Sequence, residues 1–256
     1  MGTDRATKIR AIEETLKRKE LFSSTSTPWQ QKVLATLLSQ VKFPDNAICL
    51  DAACGIGNNI ETLLKYFQMV IAFDKSAEAI EFAKELYGKY ESATASFATG
   101  SLESIPYADN FFYCVVCTEA LEHVSDYDVV IREVFRVTKS GGYVILSFQN
   151  HFNLSAIPKF LFEKVYKKNW DVWGTHRHEG GYETYLTCFQ VKKSIRKVGL
   201  ILIKEVGADY INAWLFWIPF LYRNYKILDQ YPLLSLGKMP LLKYVGMDYF
   251  LLLKKP

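Results

Sequence analysis

No apolar run in this sequence is long enough to cross a membrane. The longest, residues 211–222, is broken by Asn212 and Pro219, and a spanning helix needs about 20 apolar residues. No apolar signal core follows Met1-Gly2-Thr3-Asp4-Arg5, and Ala6 stands where a myristoylation pattern wants Ser or Thr. A cytoplasmic chain without a transmembrane segment is therefore expected. Cysteine is sparse and odd in number: five, at 49, 54, 114, 117 and 188. Cys114 and Cys117 form the C-x-x-C pair, with no second pair to complete a zinc site. On a strand, residues three apart point to opposite faces, so reduced buried thiols are expected there. Charge of one sign is also missing. The net charge is +4, and the densest basic runs are Lys17-Arg18-Lys19, Lys167-Lys168 and Lys192-Lys193. That is too little for a nucleic-acid-binding face. Histidine is scarce as well, with only four residues, which shortens any search for a general base.

What is present is apolar and aromatic. Of the 256 residues, 50% are hydrophobic and 15% aromatic, enough for a large core with rings left over for a pocket. Residues 5–21 are rich in helix formers. Thr27-Pro28 reads as a cap and first-turn proline opening a second helix over 29–41. Strands are predicted at 47–52, 69–73, 95–99, 111–117, 143–148, 200–206 and 247–253. Helices are predicted at 60–66, from Ser76 as cap through 85, at 127–137, and at 185–198 with Gly199 closing the last. Apolar strands alternating with helices imply an α/β fold, with a doubly wound, Rossmann-like, seven-stranded and mostly parallel sheet. The expected organisation is an N-terminal helical cap over 1–45, a cofactor-binding core over 46–150, and an acceptor-side region over 151–256 that completes the sheet. Within the last lies an aromatic helical insertion, 211–245, carrying Trp214, Phe216, Trp217 and Phe220.

The chemistry starts at Leu50-Asp51-Ala52-Ala53-Cys54-Gly55-Ile56-Gly57. A strand, a Gly-rich turn and a helix make a nucleotide-binding shape. Gly55 and Gly57 let the backbone bend and approach a ligand, and the helix beyond offers free N–H groups. Two cofactor classes compete. A nicotinamide or flavin site wants G-x-G-x-x-G, but Ile60 stands where the third glycine belongs. Asp51 would also lie near the negative pyrophosphate. Asp74 ends the next strand, where a carboxylate can take both hydroxyls of a ribose. Its plainer reading is a helix cap, and Ser76 already competes for that role.

Residues 49–148 resemble the class I S-adenosylmethionine-dependent methyltransferases. The likeness rests on the loop at 50–57, on Phe73-Asp74-Lys75-Ser76, and on the stretch from Ser101 to Phe112. Leu121-Glu122-His123-Val124 and Arg136-Val137-Thr138-Lys139-Ser140-Gly141-Gly142 complete it. The resemblance implies S-adenosyl-L-methionine as cofactor. Asp51, Ala53 and Gly55 would surround its methionine part and Asp74 would hold its ribose, with Gly57 and Lys75 also in the cofactor-binding set. Ser101 and Leu102 would flank the adenine, with Thr118 and Glu119 under the sulfonium. Two positions depart from the family pattern. Ala53 replaces its first glycine, and Ser101 replaces the Asp that binds the adenine amine, a weaker acceptor.

Methyl transfer needs an aligned nucleophile and, for many acceptors, a base. His151 follows the fifth strand, at the end where ligands bind. His123, His176 and His178 are the other candidates. Glu119, Glu122 and His123 also resemble the divalent-cation set of quinone-pathway O-methyltransferases. The same motif is common in metal-free relatives, and no metal is expected. The expected activity is methylation, on oxygen before nitrogen or carbon, of an apolar, aromatic or glycosylated small molecule. Rivals are an RNA methyltransferase and a non-catalytic cofactor-binding protein. Expected partners are the acceptor alone, with no nucleic acid, as a monomer or homodimer. Peripheral contact of the aromatic insertion with a membrane surface is left open.

Overall fold

A computed structural model describes residues 28–88, 94–153, 184–210 and 239–256. The expected helix at 5–21, the cap at Thr27 and most of the aromatic insertion lie outside these residues.

The chain builds a seven-stranded sheet in the order β3-β2-β1-β4-β5-β7-β6. Its strands are β1 (Ile48–Ala52), β2 (Met69–Asp74), β3 (Ala95–Thr99), β4 (Phe112–Cys117), β5 (Thr138–Gln149), β6 (Ile201–Ala208) and β7 (Asp248–Lys254). The ladders from β3 through β5 are parallel, and β7 runs antiparallel to both β5 and β6. Helices α1 (Pro28–Leu38), α2 (Ile60–Leu63), α3 (Ala77–Tyr87), α4 (Tyr127–Val137) and α5 (Cys188–Val198) accompany it. Among the described residues no helix is long and apolar enough to cross a membrane.

The central strands are apolar on both faces because both are covered. Leu50, Val115, Cys117, Val144 and Leu146 pack into one core cluster. Cys49, Cys114, Val116 and Ile145 pack into the cluster on the other face. Cys114 and Cys117 therefore point to opposite faces, as their spacing requires, and all five cysteines are buried free thiols. The chain leaves β1 toward β2 and β3 but returns to β4 on its other side. That reversal opens a crevice beyond the carboxyl ends of β1 and β4.

Several boundaries differ from the sequence expectation. Strand β5 begins at Thr138, because Thr138 pairs with Phe112 before a register shift realigns Cys114 with Tyr143. Gly142 permits the shift, since a Cβ there would lie 2.9 Å from the Tyr113 carbonyl oxygen. Helix α5 begins at Cys188, not 185, because Thr187 and Gln190 form a reciprocal capping box. Helix α2 is a single turn ending at Leu63. Ser76 and Gly199 cap as expected: Ser76 accepts from the Ala79 N–H, and Gly199 takes a left-handed φ of 86°.

Two charged groups lock the later elements in place. Glu205 of β6 accepts from Lys192 of α5 at 2.8 Å and from Tyr249 of β7 at 2.6 Å, and pairs with Lys243. Burial works to raise the Glu205 pKa, but these donors outweigh it and hold it at about 2. Lys255 sends its ammonium to the carbonyls of Phe135 and Thr138, both at 2.8 Å. It thereby satisfies carbonyls that the end of α4 leaves open.

Candidate functional site

The loop after β1 is held from the backbone of β2. The Cys54 N–H donates to the Phe73 carbonyl at 3.0 Å, and the Gly57 N–H to Cys54 at 2.9 Å. Asp74, at the end of β2, accepts from the Gly55 N–H at 2.8 Å and the Ser76 N–H at 2.9 Å. It therefore ties the loop and the start of α3 to one carboxylate. Each carboxylate oxygen has a second lone pair, so both can still accept from a ligand hydroxyl.

The two glycines do different work. Gly55 has φ 53°, and a Cβ there would meet nothing within 4 Å. Its bare side faces open space. Gly57 has φ 85°, and a Cβ would lie 2.6 Å from Ile60 and 3.0 Å from the Tyr87 ring. It is a packing glycine that lets α3 close on the loop. Ala53 has φ 59°, a left-handed conformation that a side chain disfavours. This is the physical reason a glycine would suit that position.

Asp51 is fully buried. One of its oxygens accepts from the Asn59 amide at 3.1 Å, and the same amide donates to the Thr118 hydroxyl at 3.0 Å. The other, Oδ2, is buried with no hydrogen-bond partner among the described residues. Burial raises the Asp51 pKa to about 7; the Asn59 bond opposes this and the Asp74 charge adds to it. A buried carboxylate oxygen without a donor is costly. It suits an arriving cationic group, and the open side of Gly55 supplies room beside the same strand end. These two features fit the amino-acid end and the thioether chain of the expected cofactor.

On the side where adenine is expected, Leu102 is buried and Lys75 exposed. The Ser101 hydroxyl donates to Glu103 at 2.7 Å, and Glu103 also accepts from Ser125 at 2.8 Å. Those two hydroxyls, with Lys75 nearby, lower the Glu103 pKa. The loop therefore does carry a carboxylate, two residues beyond the position where the family pattern has one.

The ends of β4, β5, β6 and β7 form a second, acidic group. Glu119 has φ 51°. Its N–H donates to the Ser147 carbonyl at 3.0 Å, and its carboxylate accepts from the Ser147 hydroxyl at 2.5 Å. Burial raises its pKa to about 7, Ser147 opposes, and the Asp209 charge adds to the rise. Asp248 is raised too, by burial and by Glu119 and Asp209, although Gln30 of α1 donates to it at 3.1 Å. Glu122 is buried and accepts from the Gln149 N–H at 3.2 Å. His123 sits on a 3-10 turn, Leu121–His123. His151 follows β5; its N–H donates to Leu186 at 2.7 Å, and its ring meets Tyr185 edge-on at 4.6 Å. His176 and His178 lie outside the described residues. Among those described, no group of three or more His, Cys, Asp or Glu is arranged to hold a metal ion. Glu119 turns to Ser147 and Glu122 to the β5 backbone.

Sequence reasoning brought Asp51, Gly55, Asp74, Thr118 and Glu119 to one sheet edge. It missed Asn59, Ser147, Asp209 and Asp248. Asn59 had a visible signal, a polar residue fixed just after a glycine turn. The others reach the site only through strand pairing far along the chain.

A crevice at a strand-order reversal, with a glycine loop and strand-end carboxylates, defines a nucleotide-type α/β binding site. Residues 50–146 match the family model of the methyltransferase domain. The ubiquinone biosynthesis O-methyltransferase of Brucella ovis is 29% identical over 161 residues, 63% of this chain and 62% of that protein. The chain thus spans under two thirds of that relative's length. Among solved structures, the geranyl diphosphate C-methyltransferase of Streptomyces coelicolor A3(2), in complex with S-adenosyl-L-homocysteine, superposes with a TM-score of 0.59. Its identity is 11%, over 88% of this chain and 76% of that one. The [4+2]-cyclase SpnF gives a TM-score of 0.59 at 18% identity, over 90% and 84%. The likeness, in sequence over residues 50–146 and in fold, is thus to the methyltransferase domain.

Proposed function

We propose that this protein transfers a methyl group from S-adenosyl-L-methionine to a small-molecule acceptor, on oxygen. The observation that carries the cofactor half is the buried, unpartnered Oδ2 of Asp51 on β1, with open space at Gly55 in the loop that follows. Asp51 would take the cofactor's ammonium and Asp74 the ribose hydroxyls. Leu102 and Ser101, with Glu103 behind it, would flank the adenine. When bound, the cofactor supplies an activated methyl group. The chain's own residues then hold the acceptor in line and remove its proton.

Glu119 is added to the base candidates His151, His123, His176 and His178. With a pKa of about 7, its carboxylate is poised between accepting and releasing a proton near neutrality. Oxygen as the methylated atom and an apolar acceptor draw support from the quinone-pathway O-methyltransferase among the relatives. The aromatic residues behind β5 agree: Phe152 and Phe189 have rings 5.3 Å apart, and Phe189 stacks on Tyr244. The cyclase neighbour shows why the acceptor is argued from side chains and not from the fold.

The test has two arms. Calorimetry with S-adenosylhomocysteine and with NAD should give binding of the first alone, and an Asp74→Ala variant should lose about 100-fold in affinity, two charge-assisted hydrogen bonds' worth. Labelled S-adenosylmethionine with a metabolite extract should put label into a small, organic-extractable product. Binding of NAD alone, or label found only in RNA, overturns the reading.

A further inference from the structure

The candidate binding residues of this crevice are set at the strand ends, and one side chain holds two of them together. Asn59 stands at the start of α2, eight residues beyond Asp51, and is almost fully buried. A buried amide nitrogen has two hydrogens to place. Asn59 sends one to Asp51 Oδ1 on β1 and the other to Thr118 Oγ1 beyond β4. Those strands flank the topological reversal, so the amide spans the floor of the crevice. Its own loop is fixed in turn: the Gln31 amide of α1 donates to the Asn58 carbonyl at 2.8 Å.

Without Asn59, neither oxygen of Asp51 has a donor among the described residues. The groups around that carboxylate offer no substitute. Asp74 on β2 is itself an acid that opposes Asp51's ionisation, and Cys49, Cys54 and Cys117 are buried thiols whose ionisation Asp51 opposes. The bond to Oδ1 also fixes the carboxylate plane, and hence where Oδ2 lies. Building on the cofactor reading above, we propose that Asn59 is a positioning residue. Its amide clamps Asp51 to Thr118 so that Asp51 Oδ2 is aimed at the ammonium of the cofactor's amino-acid end.

The discriminating probes are S-adenosylhomocysteine and 5′-methylthioadenosine. The second keeps the adenosine and sulfur but lacks the amino-acid end. Calorimetry at pH 7.5 on Asn59→Ala should show S-adenosylhomocysteine affinity falling about tenfold, the worth of one hydrogen bond to a charged group. Affinity for 5′-methylthioadenosine should stay within about twofold. Equal losses for both probes would make Asn59 a general scaffold residue and overturn the proposal; no loss for either overturns it too. If Asn59→Ala does not fold, Asn59→Leu keeps the buried volume and removes the donor. It should weaken S-adenosylhomocysteine binding by a similar factor and spare 5′-methylthioadenosine, and a loss shared by both sinks the proposal again. Failure of the wild-type protein to bind either probe is a different result: it would reject the cofactor reading itself.

Discussion

The two ends of the crevice are built in opposite ways. On the β1–β2 side, the glycine loop, Asp51, Asn59 and Asp74 lie within 24 residues of one another, and hydrogen bonds to the two carboxylates tie them together. On the β5–β7 side, Glu119 meets Ser147, and Asp248 meets Gln30 across a sequence separation of 218. The first side is a local structure that its own turn dictates. The second exists only once the whole sheet has closed. The difference teaches where robustness should lie: the β1–β2 side should keep its ligand affinity when the β5–β7 side is damaged, because the hydrogen bonds that shape it are local.

The largest effect expected from breaking that comparison is at Asn150, just after β5. Its amide donates to the carbonyls of Phe152, Tyr244 and Gly246, and its oxygen accepts from the N–H groups of Phe152 and Cys188. One fully buried side chain thus joins β5, α5 and the 3-10 turn before β7. Asn150→Ala leaves several of these groups unsatisfied, at about 1–3 kcal/mol each before relaxation. A net loss of about 3–4 kcal/mol is expected in chemical denaturation. Affinity for S-adenosylhomocysteine, measured where the variant is still folded, should stay within about twofold. A tenfold fall would show that the two sides are one cooperative unit.

That asymmetry also explains what could be read from the sequence. The seven strands and the loop at 50–57 were legible, because periodicity and glycine turns are local signals. Asp74 was legible as a strand-end acid, but not its grip on the Gly55 N–H, which depends on β2 lying beside β1. The early start of β5 was hidden because Ser140-Gly141-Gly142 reads as a turn, yet the pairing of Thr138 with Phe112 carries the strand through it. The acid group of Glu119, Asp209 and Asp248 left no trace at all. Its members are 39 to 129 residues apart, and no spacing rule joins them.

A smaller effect separates the two sides by pH. Asp51 and Glu119 both have pKa values raised to about 7, first by burial. In the folded protein each holds a proton that the unfolded chain releases near pH 4. Their stabilising contribution is therefore complete at low pH and is lost as pH rises through about 7. Ligand binding at Asp51 should show the opposite slope, since an ammonium needs the ionised form. S-adenosylhomocysteine affinity should rise about tenfold from pH 6 to pH 8, with a proton released on binding. Affinity for 5′-methylthioadenosine should stay flat, because it carries no ammonium for Asp51. Equal pH dependence of the two ligands would place the titrating group elsewhere in the crevice.

The smallest effect sharpens the comparison from the cofactor side alone. Ala53 is left-handed at φ 59°, held there because Cys54 must reach the Phe73 carbonyl and Gly55 must reach Asp74. A Cβ in that region costs about 1 kcal/mol. Glycine removes the clash but adds freedom to the unfolded chain, so the two terms partly cancel. Ala53→Gly should still raise stability, by up to about 0.6 kcal/mol, seen as a higher midpoint in urea at unchanged slope. Because the loop's bonds are already made, S-adenosylhomocysteine affinity should not change by more than about twofold. If stability fell instead, the Ala53 methyl would have to be contributing packing worth more than the strain it imposes. The neighbours able to supply that packing are those of the core cluster it partly joins. The sign of this one measurement therefore decides whether the loop is held by its backbone bonds or by its side chains.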